Sequence, residues 1–186
     1  MRAIKTTTIS ILALGLLAGS AVGAAAQDEA PVAGAPTGAS FFTGTYEGGF
    51  PTTEPVVTAV DDGEQIRGLV VQGTIDTSDP RMTGVVTQAI DIDDAELGDA
   101  GRVSLSAHSW RIENDGGSWV GPGTGLGYVD ADFEFLLDTA TVSLTGEDGY
   151  AGLVAYLIME GGLEPVVTGA VLVGAMPPFP ELPAAE

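Results

Sequence analysis

The chain has 186 residues and no cysteine, which excludes a disulfide framework, a cysteine-ligated zinc and a lipid anchor carried on a cysteine. It sets 26 acids against six lysines and arginines, a formal charge of −20. Such a charge opposes nucleic acid and anionic lipid as partners, because both are polyanions.

The first 26 residues carry the three-part pattern of a secretory signal peptide. Arg2 and Lys5 give a basic start, Ile9–Gly19 is apolar, and Ala24-Ala25-Ala26 offers a cleavage site before Gln27. The apolar run is too short and too glycine-rich for a membrane span, and no later run reaches that length. The expectation is a secreted or extracytoplasmic protein cut after Ala26. Removing Arg2 and Lys5 leaves four arginines against 26 acids, a formal charge of −22. The remaining 160 or so residues are the usual size of one domain, long enough for a hydrophobic core. Residues 27–40, rich in Ala, Pro and Gly, read as a flexible N-terminal segment. Residues 176–186 hold four prolines and read as an extended tail. The domain is expected over residues 41–175.

Within it the signals are those of strands. Short blocks rich in Val, Ile, Thr and aromatics are punctuated by Gly, Asp and Pro. In chain order they are Phe41–Gly48, Val56–Val60, Gln65–Asp76, Thr83–Asp91, Arg102–Glu113, Ser118–Val129, Phe133–Leu144, Tyr150–Glu160 and Val166–Gly174. Bends or bulges are expected at Gly68, Gly73, Gly84 and Gly169. Asp61-Asp62-Gly63, Asp79-Pro80-Arg81, Asn114–Gly117 and Glu147–Gly149 suit tight turns. Asp93–Asp99 reads as a loop or a single helical turn. Short links between successive strands favour an antiparallel meander. The expected fold is all-β: an antiparallel up-and-down barrel of about eight strands, with a β-sandwich as the alternative.

The segment Leu144-Thr145-Gly146-Glu147-Asp148-Gly149-Tyr150-Ala151-Gly152-Leu153 resembles a hairpin of allene oxide cyclase and dirigent-type barrels. The likeness implies an eight-stranded, calycin-like barrel in which glycines thin the wall and Tyr150 fills the space beside them. It places none of those families' catalytic residues on this chain. Thr43-Gly44-Thr45-Tyr46 is similar to the opening strand of avidin-type and lipocalin-type barrels, with Tyr46 where those have Trp. The whole pattern also looks like secreted bacterial proteins of unassigned function.

His108 is the single histidine, and no G-x-S-x-G elbow marks a nucleophile for it. By alternation His108, Trp110 and Ile112 share one face of their strand, while Arg111 and Glu113 share the other. If the tryptophan face is inside, His108 and Trp110 line a cavity. If the other face is inside, Arg111 and Glu113 form a buried pair. Tyr46, His108, Trp110, Trp119 and Tyr156 are the candidate ligand-binding residues, against core filling as the plain reading of the tryptophans. Asp91, Asp93, Asp94, Glu96 and Asp99 supply hard oxygen ligands that suit calcium, but the run lacks the spacing of an EF-hand loop. A solvated acidic loop is the default there, and calcium is the sole cofactor candidate. Asp130, Asp132 and Glu134 are a second acidic candidate. Gly121-Pro122-Gly123-Thr124-Gly125-Leu126-Gly127 has no following helix, so it reads as a flexible or bulged strand at a barrel rim, not a nucleotide loop. Three functions stay open: a carrier of a small apolar ligand, a structural or cell-surface interaction protein, and an isomerase- or cyclase-like enzyme.

Overall fold

A computed structural model describes residues 38–130, 135–162 and 165–175. The expected leader, the Pro-rich tail and most of the flexible N-terminal segment lie outside the described residues. Nine strands follow one another: β1 (Ser40–Pro51), β2 (Val56–Val60), β3 (Gly63–Thr77), β4 (Gly84–Glu96), β5 (Arg102–Asn114), β6 (Gly117–Val129), β7 (Phe135–Glu147), β8 (Leu153–Glu160) and β9 (Val166–Val173). All pairings are antiparallel, each strand from β2 to β9 bonds to the next, and β1 bonds to both β9 and β3. β1 and β2 each pair with a different stretch of β3, so they act as one interrupted strand. The result is an up-and-down sheet with a ring of bonds through eight strands, nearly a barrel; the sandwich alternative falls away.

The register fixes how wide that ring is. Gly44 on β1 leads through Val167, Met159, Ala140, Gly125, Ser106 and Ile92 to Ile66 on β3. In the other direction Gly44 pairs directly with Thr77 of the same strand. Ile66 and Thr77 are 11 positions apart, one of them taken up by the irregularity between Ile66 and Leu69. The offset around the ring is therefore 10 residues. With strands spaced ~4.8 Å and rising ~3.3 Å per residue, eight strands at this offset tilt by about 40° and enclose a radius of about 8 Å. That is wider than the ring of a packed eight-stranded barrel of offset 8, at about 7.5 Å.

The irregularity sits at Gly68, whose φ of 70° suits glycine, and a second falls between Gly48 and Phe50. Gly73 stands opposite that second irregularity, paired with Gly48, while Gly84 and Gly169 lie in regular ladders. They serve close approach instead: a Cβ on Gly73 would stand 2.7 Å from the Tyr46 hydroxyl, and one on Gly169 would stand 2.5 Å from the Phe42 ring. β4 continues through the acidic run as far as Glu96, and one 3₁₀ turn, Gly98–Ala100, follows. Backbone pairing with β3 and β5 explains the extension, because both neighbours offer partners along its whole length.

One end of the ring is closed. Ile75, Met82, Val86, Ile112, Trp119, Leu144, Ala155 and Val171 are fully buried there. The turn Pro80–Met82, capped by Asp79, lies across this end. Its Arg81 carbonyl accepts from Trp119 Nε1 at 2.8 Å and from Asn114 Nδ2 at 3.1 Å. Asn114 also donates to the Thr83 carbonyl and accepts from Tyr150 Oη and the Gly116 N–H. Tyr150 stacks on Trp119 with ring centroids 5.0 Å apart, beside Gly116 and Gly146, where a Cβ would collide with it. Within the Leu144–Leu153 segment Gly146 is the glycine against Tyr150, whereas Gly149 meets the Gly116 backbone and Gly152 meets nothing within 4 Å.

Candidate functional site

The tryptophan face of β5 is the inner one. Trp110 and Ile112 are buried, while Arg111 lies outside and pairs with Glu113 at 2.9 Å and Glu147 at 3.1 Å. Running from Trp110 away from the closed end, the same inner column continues as His108, Ser106, Ser104 and Arg102. Opposite them on β6 stand Gly121, Gly123, Gly125, Gly127 and Val129. The glycine-rich segment is therefore a regular strand rather than a bulged rim, and its glycines all face inward. This lets the β5 side chains lean over β6: a Cβ on Gly125 would lie 2.5 Å from Ser106 Oγ and 3.1 Å from His108 Nε2.

Burial changes along the interior. In this half of the ring the inward residues Ile66, Leu69, Ile90, Ile92, Ser104, Ser106, His108, Asp138 and Met159 are only half-buried, in contrast to the packed end. The described residues thus form a cup, with an apolar wall on β3 and β4 and a polar stripe on β5.

The stripe has a defined hydrogen-bond direction. Trp110 Nε1 donates to His108 Nδ1 at 3.3 Å, and the two rings stack at an interplanar angle of 14°. An indole N–H can only donate, so Nδ1 must be the unprotonated nitrogen. Nε2 then carries the proton and donates to Ser106 Oγ, 2.6 Å away. The Ser106 hydroxyl proton takes no part in this bond. This is the reverse of a nucleophilic triad, in which a carboxylate holds Nδ1–H and Nε2 accepts from serine. Burial pushes the His108 pKa below its ordinary value, in keeping with a neutral ring.

Deeper in, Tyr46 packs on Trp110 with centroids 6.2 Å apart. Its hydroxyl is buried near the Gln88 amide and the Gly49 N–H but forms no hydrogen bond with either, and burial raises its pKa. On β7, burial pushes the Asp138 carboxyl above its ordinary value. At the mouth Arg102 meets Asp94 at 3.2 Å, Glu96 at 3.5 Å and Glu64 at 3.8 Å. Asp94 Oδ1 is buried without a partner there.

Of the five candidate ligand residues, Tyr46, His108 and Trp110 stand together. Trp119 lies inside the closed end, bonded to the Arg81 carbonyl. Tyr156 lies on the outer face, because its inward neighbours are Ala155 and Leu157. Alternation also splits the calcium candidates: Asp91 and Asp93 face outward, Asp94 and Glu96 inward, and Asp99 sits on the 3₁₀ turn. Among the described residues no group of three or more His, Asp or Glu side chains is placed to hold a metal ion. Asp132 and Glu134 lie outside the described residues. Sequence reasoning missed Ser106, Gln88 and Asp138. Ser106 was within reach by extending the alternation that joined His108 to Trp110, whereas Gln88 and Asp138 depend on which strands neighbour them.

Compared with protein-family models, curated proteins and solved structures, the chain matches none of them.

Proposed function

We propose that this protein is an extracytoplasmic carrier that holds one small, largely apolar molecule bearing a hydrogen-bond acceptor. The observation that supports this most is the change in burial along the ring interior, packed at one end and half-exposed at the other. An eight-stranded ring of this offset has room for one small ligand, and binding sites are typically apolar recesses with a few directed polar groups. Ile66, Leu69, Ile90, Ile92 and Met159 would take the apolar body. The Ser106 and Tyr46 hydroxyls would donate to the acceptor, since neither has another acceptor among the described residues. A carboxylate ligand fits poorly, because Glu64, Asp94, Glu96 and Asp138 outnumber Arg102 near the mouth. The likeness of Leu144–Leu153 to allene oxide cyclase and dirigent-type hairpins points the same way, toward a calycin-like binding barrel. The leader pattern supports work outside the cytoplasm.

The test uses Nile red, a neutral apolar dye with a carbonyl acceptor, together with native mass spectrometry of the secreted protein. Binding at one dye per chain is expected. Gly127→Leu should weaken it about tenfold or more while the thermal midpoint holds, because a side chain at Gly127 meets only Ser104, at 3.7 Å, and then enters the cup. Dye that binds Gly127→Leu as well as the parent, or does not bind the parent, would sink the proposal.

A further inference from the structure

β2 is bonded on one side only. Val56–Val60 pairs with Gly63–Arg67 of β3, and among the described residues nothing pairs with its other edge. All five of its residues are exposed, Val56 by 66%. The edge is held ready rather than loose: Thr52 N donates to the Val70 carbonyl at 2.8 Å, and Thr53 Oγ1 donates to the Gly68 carbonyl at 3.1 Å. Four of the five residues are β-branched and none is charged, a composition that favours strand addition. Acids bracket it: Glu54 before, Asp61 and Asp62 after, all exposed. The nearest cation, Arg67, is turned to the far side of β3, where it binds Asp93 and the Ile92 carbonyl.

We propose that the free edge of β2 docks an extended segment of another protein that carries basic residues at both ends. The bracket of acids decides the occupant. A second copy of β2 laid antiparallel about Thr58 would bring Glu54 against Asp62 at both ends, and a parallel copy would set each acid against itself. Like charges facing across a strand pair are destabilising, so the acids guard against self-pairing. The same acids attract a strand with Lys or Arg at its ends, while its backbone completes the ladder that β2 leaves open. This docking edge is independent of the cup.

The test adds a capped peptide, Lys-Thr-Val-Thr-Val-Thr-Lys, to the whole secreted protein and follows amide hydrogen exchange by NMR. A peptide ending in Glu at both ends serves as its counterpart. The expected result is about tenfold or greater protection of alternate β2 amides by the basic peptide, fading with added salt, and none with the acidic one. The triple charge reversal E54K, D61K and D62K should swap the preference. Three results would overturn the proposal: no protection by either peptide at millimolar concentration, equal protection by both, or β2 protection that grows with protein concentration alone.

Discussion

Single residues decide whether the cup can work. Gly125 is the tightest of the inward glycines around the His108–Ser106 pair. Gly125→Ala should push Ser106 off its bond and weaken Nile red binding severalfold, with a stability cost of about 1 kcal/mol; unchanged binding would mean that the serine has no part in it. Tyr46→Phe separates binding from stability. A buried hydroxyl without a partner costs about 1–3 kcal/mol, so its loss should raise the thermal midpoint of the empty protein while lowering ligand affinity. Asp138 carries a pH signature. Its folded-state pKa is raised above 3.8 by burial, so its favourable contribution is complete below that value and is lost as pH rises through the folded pKa. Asp138→Asn should therefore stabilise the protein at pH 7 and leave it unchanged near pH 3, as read from thermal unfolding at the two pH values. His108 has the opposite sign. Burial lowers its pKa below 6.5, so the unfolded chain takes up the proton first and stability falls as pH drops below that value.

At the scale of elements, the closed end and the cup are built by the same two strands. β5 and β6 run in register over their whole length, from Asn114 opposite Gly117 to Arg102 opposite Val129. At one end they place Asn114, Ile112 and Trp119, which pack under the Pro80–Met82 turn. Further along they place glycines opposite polar side chains, and packing gives way to the cup. Asn114 is the bolt of the closed end, since both its amide hydrogens and its carbonyl oxygen are engaged. Asn114→Ala strands the Tyr150 hydroxyl and the Thr83 carbonyl, and should cost about 3 kcal/mol. Urea unfolding would measure this; a loss below 0.5 kcal/mol, on the order of a surface change, would show that the turns close the end without it.

At the scale of the molecule, charge is the dominant feature. Each of the four arginines among the described residues is in an ion pair: Arg67 and Arg102 bind β4 from either side, Arg81 fastens a turn, and Arg111 pairs with Glu113 on its own strand and with Glu147 on β7 across β6. Most of the 26 acids are left without a compensating cation. Their mutual repulsion opposes compaction and is screened by salt. The thermal midpoint should therefore rise by several degrees between low salt and about 0.5 M sodium chloride; a fall would show that the ion pairs outweigh the repulsion.

The strands and their serial order were legible in the chain. Period-two alternation and Gly, Asp and Pro punctuation act locally, and a meander needs only short links, so nine blocks foretold nine strands to within a few residues. The sequence also determined that Trp110 and His108 share a face. It did not determine that β4 runs on past Asp91 through three more acids, because local propensity disfavours a strand there and only the pairing offered by β3 and β5 sustains it. The offset of the ring, the burial of Asp138 and the sidedness of Tyr156 were decided by tertiary structure alone. Each depends on which residue of a distant strand stands opposite, and alternation along one strand carries no information about register with the next. The glycines of β6 lie between the two cases. Their spacing was visible in the chain, but the reason for it is the row of β5 side chains lying across them, and that row exists only once the ring has closed.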